Sequence, residues 1–396
     1  MRLSLCMIVR DEEATLRRCL DSVRGVVDEM IVVDTGSRDR TIAIAKDCKA
    51  SVYPFTWCND FAAARNESLK YAQGDWILVL DADEVLVPES VPALQQAMQL
   101  DDAIAIALLR EEVGTHHPDS QLSRVFRRHP AIAFTRPYHE LIDDSVTRLL
   151  QQEPHWRVVA LPDIAIRHTG YQTALIDQRH KVERARTIME RYHTAHPDDA
   201  YICSKLGALY IDLGDRVRGL ALLQKGLETA AEAAVLYELH YHLGSFYGQQ
   251  QQLDQAAWHY EAAIAQPLHP RLQLGAYNNW GNVLKDQGDL EKAKALYETT
   301  IAIDPTGAVG YYNLGLTLKA MGQLQEAIVQ YQRAIQLQPS YAAAHQNLGV
   351  ALLKVGNVVA SLEAFQQAIA LYEQQQAPEA AHLRDALKQM GLLGSL

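Results

Sequence analysis

Gly74-Asp75-Trp76-Ile77-Leu78-Val79-Leu80-Asp81-Ala82-Asp83-Glu84 is an apolar run that stops abruptly in three acids. Five consecutive apolar residues between a glycine turn and a polar break read as a short, fully buried strand. Carboxylates at i and i+2 at the end of a strand point to the same side. Asp81 and Asp83 could therefore hold Mg²⁺ or Mn²⁺, hard cations that take oxygen ligands. A solvated acidic turn is the plain alternative, but three like charges crowded behind a buried strand call for a partner.

Toward the N-terminus the pattern alternates. Leu3–Val9 and Met30–Val33 read as strands, and Ala14–Val23, Thr41–Cys48 and Phe61–Ala72 as helices. Strands separated by helices imply βαβ units, hence an α/β domain with a mainly parallel sheet and helices on both faces. Ligands in such sheets sit beyond the carboxyl ends of the strands. Asp34, in Asp34-Thr35-Gly36-Ser37, and the Asp81/Asp83 pair each follow a strand, so both belong on that edge.

Toward the C-terminus a repeat takes over. Gly207, Gly244, Gly281, Gly315 and Gly349 each follow a large apolar residue, with later spacings of 34. Turn glycines follow (Gly214, Gly288, Gly322, Gly356), then a small residue, and in four units an aromatic (Tyr260, Tyr297, Tyr331, Phe365). This resembles the tetratricopeptide repeat. The resemblance implies an all-α superhelix of stacked helix pairs, about five repeats and a capping helix over Ala380–Met390. The expected division is 1–170 for the α/β domain, 171–199 for a connecting helix and 200–396 for the repeats.

Composition narrows the function. The 396 residues carry a net charge of −11, and both halves are acidic, which opposes binding to a nucleic-acid polymer. Five scattered cysteines without a CxxC pair argue against a disulfide framework or a zinc site and suit a cytoplasmic protein. No apolar stretch approaches the roughly 20 residues of a membrane span, which leaves peripheral contact with the inner face of a membrane open. The chain has no GxGxxG after its first strand, no P-loop and no GxSxG elbow.

Leu5-Cys6-Met7-Ile8-Val9-Arg10-Asp11-Glu12-Glu13, Glu29–Thr41, Arg65-Asn66 and the acidic cluster, in this order, resemble the family-2 glycosyltransferases. These have the GT-A fold, a Rossmann-like sheet, and the resemblance is closest to the branch with bacterial lipopolysaccharide-core and peptide glycosyltransferases. It covers the first 170 residues. It implies a nucleotide-sugar donor, a UDP-sugar first among them, a Mn²⁺ or Mg²⁺ ion, and inverting displacement. Asp34 would recognise the base, Arg65 the donor, and Asp81 the ribose or metal. Asp83 would ligate the metal beside Glu84, and His168 would make a further metal or diphosphate contact. Glu140, in Tyr138-His139-Glu140-Leu141, is the candidate general base, with Asp143 or Asp144 as alternatives. Thr35 stands where the general family pattern has a second aspartate.

Repeat arrays of this kind bind proteins or peptides. Asn279, Asn313 and Asn347, each two residues before the repeat glycine, are expected to form a ladder able to grip a peptide backbone. The competing expectations are repeats that present a protein acceptor, repeats that assemble a glycan-building enzyme, and a non-enzymatic scaffold with a degenerate catalytic domain.

Overall fold

The computed structural model describes residues 1–113, 119–169 and 175–392. By contacts the chain divides into Met1–Gly214 and Asp215–Leu396. The expected boundary at 170/171 lies outside the described residues.

In the first unit the predicted strands appear as β1 (Leu3–Val9), β2 (Glu29–Asp34) and β4 (Trp76–Val79), with β3 (Ser51–Pro54) beyond them. The predicted helices are α1 (Leu16–Ser22), α2 (Thr41–Asp47) and α3 (Phe61–Leu69). They are followed by β5 (Glu84–Leu86), α4 (Val91–Met98), β6 (Ala103–Val113), β7 (Ser120–Arg127), α5 (Asp143–Gln152) and β8 (Arg157–Thr169). The unit ends with α6 (Leu175–Ala195) and α7 (Ala200–Asp212).

The sheet order is β3-β2-β1-β4-β7-β6-β8-β5. β3, β2, β1 and β4 run parallel, as does the β6/β8 pair, and β7 and β5 pair antiparallel with their neighbours. Both faces of the sheet are covered. Leu3, Leu5, Met7 and Val9 of β1 join α1, α2 and α4 in one core. Cys6, Ile77 and Val79 face α3 and α5 in the other. Trp76, at the head of β4, is fully buried, and Arg127 stacks over its ring at 4.8 Å. β1 lies between β2 and β4, so Asp34 and Asp81 emerge from strands on either side of it.

The second unit is helical: α8 (Arg216–Thr229), α9 (Ala233–Gln249), α10 (Leu253–Ile264), α11 (Leu274–Gln287), α12 (Leu290–Ile303), α13 (Ala308–Ala320), α14 (Leu324–Leu337), α15 (Ala342–Lys354), α16 (Val358–Gln374) and α17 (Glu379–Gln389). Four of the five repeat glycines lie in α9, α11, α13 and α15, and each of these faces the aromatic of the next helix, while Gly207 lies in α7. At Gly281 a Cβ would stand 2.6 Å from the Tyr297 ring, so glycine lets the helices approach. Gly288 closes α11 with φ +86°, a left-handed conformation that glycine adopts freely. Asp289 then caps α12 by accepting from the Lys292 N–H. α17 spans most of the stretch, Ala380–Met390, read as a capping helix.

Candidate active site

The quoted stretch folds as its pattern predicts, and what surrounds its acids is a lattice of ions. Asp81 accepts from Arg65 Nη2 at 2.5 Å and from Arg124 Nη2 at 2.9 Å. Glu84, fully buried, accepts from Arg110 Nη1 at 2.9 Å and Arg124 Nη2 at 3.0 Å, and its other oxygen accepts from the Asp81 N–H. Burial opposes ionisation of Asp81, but Arg124 and then Arg65 outweigh it and hold the carboxyl well below the usual carboxylate range.

Asp83 turns the other way. Its Oδ2 lies 3.0 Å from His168 Nε2, and His168 Nδ1 lies 2.6 Å from Glu112 Oε2. The register explains the cluster: His168 on β8 stands between Glu84 on β5 and Glu112 on β6. The hydrogen bonds to Asp83 and then Glu112 push the His168 pKa up to about 10, so the imidazole is charged at neutral pH.

Arg65 is the hinge of the site. It lies buried on α3, with Nε 2.5 Å from Glu140 Oε1 and its guanidinium 5.6 Å from the Phe134 ring centroid. Its Nη1 is buried without a hydrogen-bond partner. A buried donor left unmade costs about 1–3 kcal/mol, so this atom is suited to an incoming acceptor such as a phosphate oxygen. The loop carrying Glu140 is pinned at both ends: Thr135 and Leu141 exchange backbone hydrogen bonds, and the Phe61 N–H donates to the Pro137 carbonyl. Within it Arg136 and His139 have φ of +66° and +54°, conformations that non-glycine residues adopt at a cost. Arg136 also holds Asp144 at 2.6 Å and Asp199 at 2.9 Å. Of the alternative bases, Asp144 is thus already paired, and Asp143 accepts from Ser123 at 2.8 Å. Burial raises the Asp143 pKa.

Asp34 accepts from the Gly36 and Ser37 N–H groups at 3.0 and 3.2 Å, which fixes the turn after β2. A cavity of about 930 Å³ opens beside the Glu140 loop, lined by Ala62 and Asn66 of α3, Phe134 and Arg136 of the loop, and Arg184 and Tyr192 of α6.

Arg110, Glu112 and Arg124 were not anticipated. Arg124 is an extra residue in β7: Ile106 pairs with Val125 and Ala107 with Ser123. Such a bulge re-aims a side chain. Among the described residues no group of three or more His, Cys, Asp and Glu side chains is arranged to hold a metal, and no helix is long and apolar enough to cross a membrane.

In the repeats, the three asparagines bridge neighbours. Asn279 donates to Tyr241 Oη at 3.3 Å, Asn313 to Asn278 Oδ1 at 3.2 Å and Asn347 to Tyr312 Oη at 3.2 Å.

Residues 4–159 match the glycosyl transferase family 2 model, and residues 281–322 and 317–356 match the TPR repeat model. A TPR repeat-containing protein of Synechococcus elongatus is 47% identical over 306 residues, 77% of this chain and 76% of that protein. The prophage-derived glycosyltransferase SunS of Bacillus subtilis is 26% identical over 204 residues, 49% of this chain and 45% of that protein. Among solved structures, YrrB, described as a TPR protein with an unusual peptide-binding site, aligns at 20% identity and a TM-score of 0.40, covering 50% of this chain and 97% of its own.

Proposed function

This chain belongs to the same family as the Synechococcus TPR repeat-containing protein, with a family-2 glycosyl transferase domain followed by tetratricopeptide repeats, and we propose that it transfers a sugar from a nucleotide-diphosphate sugar to an acceptor presented or recruited through the repeats. The observation that carries this is the unpartnered, buried Arg65 Nη1 between Asp81 and Glu140. It is a cationic donor awaiting an anion at the edge of the sheet where ligands bind.

The residues divide the work. Asp34 accepts from the nucleotide base and Asp81 positions Arg65 and the ribose. Arg65 donates to the diphosphate. Asp83 and His168 would hold Mn²⁺ or Mg²⁺ as an oxygen–imidazole pair once His168 gives up the proton it carries between Asp83 and Glu112, with the donor's phosphates and water supplying further oxygens. A bound cation would offset the charge that grows on the departing diphosphate. Glu140 takes the acceptor's proton as the acceptor atom bonds to the anomeric carbon and the carbon–oxygen bond to the diphosphate breaks, inverting that centre. Donor phosphate competing for Arg65 would loosen its hold on Glu140, so donor binding prepares the base.

A donor-hydrolysis assay tests the reading: wild type should release nucleoside diphosphate slowly from one class of nucleotide sugar, and Arg65→Met should not. Release from no nucleotide sugar would favour a scaffold with a degenerate catalytic domain.

A further inference from the structure

Glu140 sits near the end of a loop, 135–141, whose backbone is strained. Arg136 and His139 adopt left-handed conformations, φ +66° and +54°, which residues with a Cβ keep only where their surroundings over-determine them. What over-determines Arg136 is its guanidinium. Nη1 donates to Asp144 Oδ2 at 2.6 Å, and Nε and Nη2 donate to Asp199 Oδ2 and Oδ1 at 2.9 and 3.3 Å. The group is largely buried and lies 4.7 Å from the Tyr201 ring centroid. A forked, charge-assisted pair of this kind fixes direction as well as adding attraction. Asp144 belongs to α5, close to the loop in sequence. Asp199 lies 63 residues beyond Arg136, and the same carboxylate caps α7 by accepting from the Ile202 N–H at 3.1 Å.

The loop needs such an anchor for a physical reason. In the resting protein Arg65 holds the Glu140 carboxylate. In the reading above, donor phosphate competes for Arg65. Once that grip loosens, the carboxylate keeps its place through its own backbone. Three ties hold that backbone: Thr135 with Leu141, Pro137 with Phe61, and Arg136 with Asp144 and Asp199. The last reaches α7, the first helix of the repeat period. A misplacement of about 1 Å can cost a reaction about 100-fold.

We propose that Asp199 is a positioning residue for sugar transfer, acting through Arg136 to hold the loop that aims Glu140 at the acceptor. The proposal rests on the reading of Glu140 as the base. It gives the start of the repeats a part in the chemistry without contact to the substrate.

Asp199→Asn in the full chain tests it, because asparagine caps a helix about as well as aspartate but offers Arg136 no charge. Transfer kcat should fall about tenfold or more, with the donor KM unchanged. Arg136→Gln should lose at least as much, and the double variant no more than Arg136→Gln alone, since both act through one contact. Backbone hydrogen exchange at Thr135 and Leu141 should quicken in Asp199→Asn, and that at Ile202 and Cys203 should not. An unaltered kcat, a donor KM that rises enough to account for the loss, additive losses in the double variant, or faster exchange confined to α7 would overturn the proposal. Glu140→Gln on the same preparations reports the base reading separately: full transfer there sinks that reading, whereas the exchange result tests the anchor by itself.

Discussion

Glu84 is tolerated in full burial because two guanidiniums and a backbone N–H converge on it. Arg124 is shared between Glu84 and Asp81, so removing it exposes both carboxylates to the cost of a buried, half-neutralised charge. Arg124→Met should destabilise the first unit by about 3 kcal/mol, read by urea unfolding. A loss under about 0.5 kcal/mol would show that the lattice is not structural. Glu140→Gln keeps a hydrogen-bond partner for Arg65 but cannot accept a proton. Transfer should fall at least about 100-fold with donor affinity nearly unchanged. Transfer at the wild-type rate would move the base to another residue, with Asp143 the next to test. Asp81, Asp83 and Glu84 were legible in the sequence because they interrupt a buried strand at its end. Arg110, Glu112 and Arg124 were not, because they lie on strands that carry no motif. One signal was present: the apolar run Ala103–Leu109 gives way to Arg110 and Glu112, two residues apart and hence on one side of β6. The aim of Arg124 depends on a bulge, which no local pattern announces.

At the scale of elements, the repeat helices were the most legible part of the chain, because one spacing recurs and four of the five repeat glycines have a partner aromatic. That pairing makes a firm prediction. Gly281→Ala would place a methyl 2.6 Å from the Tyr297 ring, and overpacking of this kind costs about 1–3 kcal/mol. A thermal melt of the variant should show it, and an unchanged melting temperature would mean that the helices can part freely. Less legible was the pair His240 and His259, whose Nδ1 atoms lie 3.0 Å apart between α9 and α10. Burial and then His240 lower the His259 pKa to about 4, so the folded repeats favour its neutral form. Between the ordinary histidine value near 6.5 and about 4 the unfolded chain binds the extra proton. Stability from this site is therefore complete above pH 6.5 and is lost as pH falls through about 4. His259→Gln should flatten that part of the pH–stability curve. An identical slope in wild type and variant would remove His259 as the cause.

For the whole molecule, the change from alternating strand and helix to a 34-residue period divides the sequence, and the contacts divide the chain too, at Gly214. By period α7 is the first helix of the first repeat; by contact it lies in the first unit, where Asp199 at its start is held by Arg136 of the Glu140 loop. The donor contacts assigned above all come from the first unit, so donor binding should stabilise that unit and leave the unfolding of the repeats where it is. The most direct measurement is calorimetric unfolding of the full chain with a panel of nucleotide sugars, each with and without Mn²⁺, for wild type and Asp83→Asn. A ligand at about 100 times its dissociation constant adds about 2.7 kcal/mol. The account predicts that one nucleotide class, with Mn²⁺, raises one transition of the wild type and fails to raise it in Asp83→Asn. A full panel that moves no transition, or an equal shift in Asp83→Asn, would contradict it.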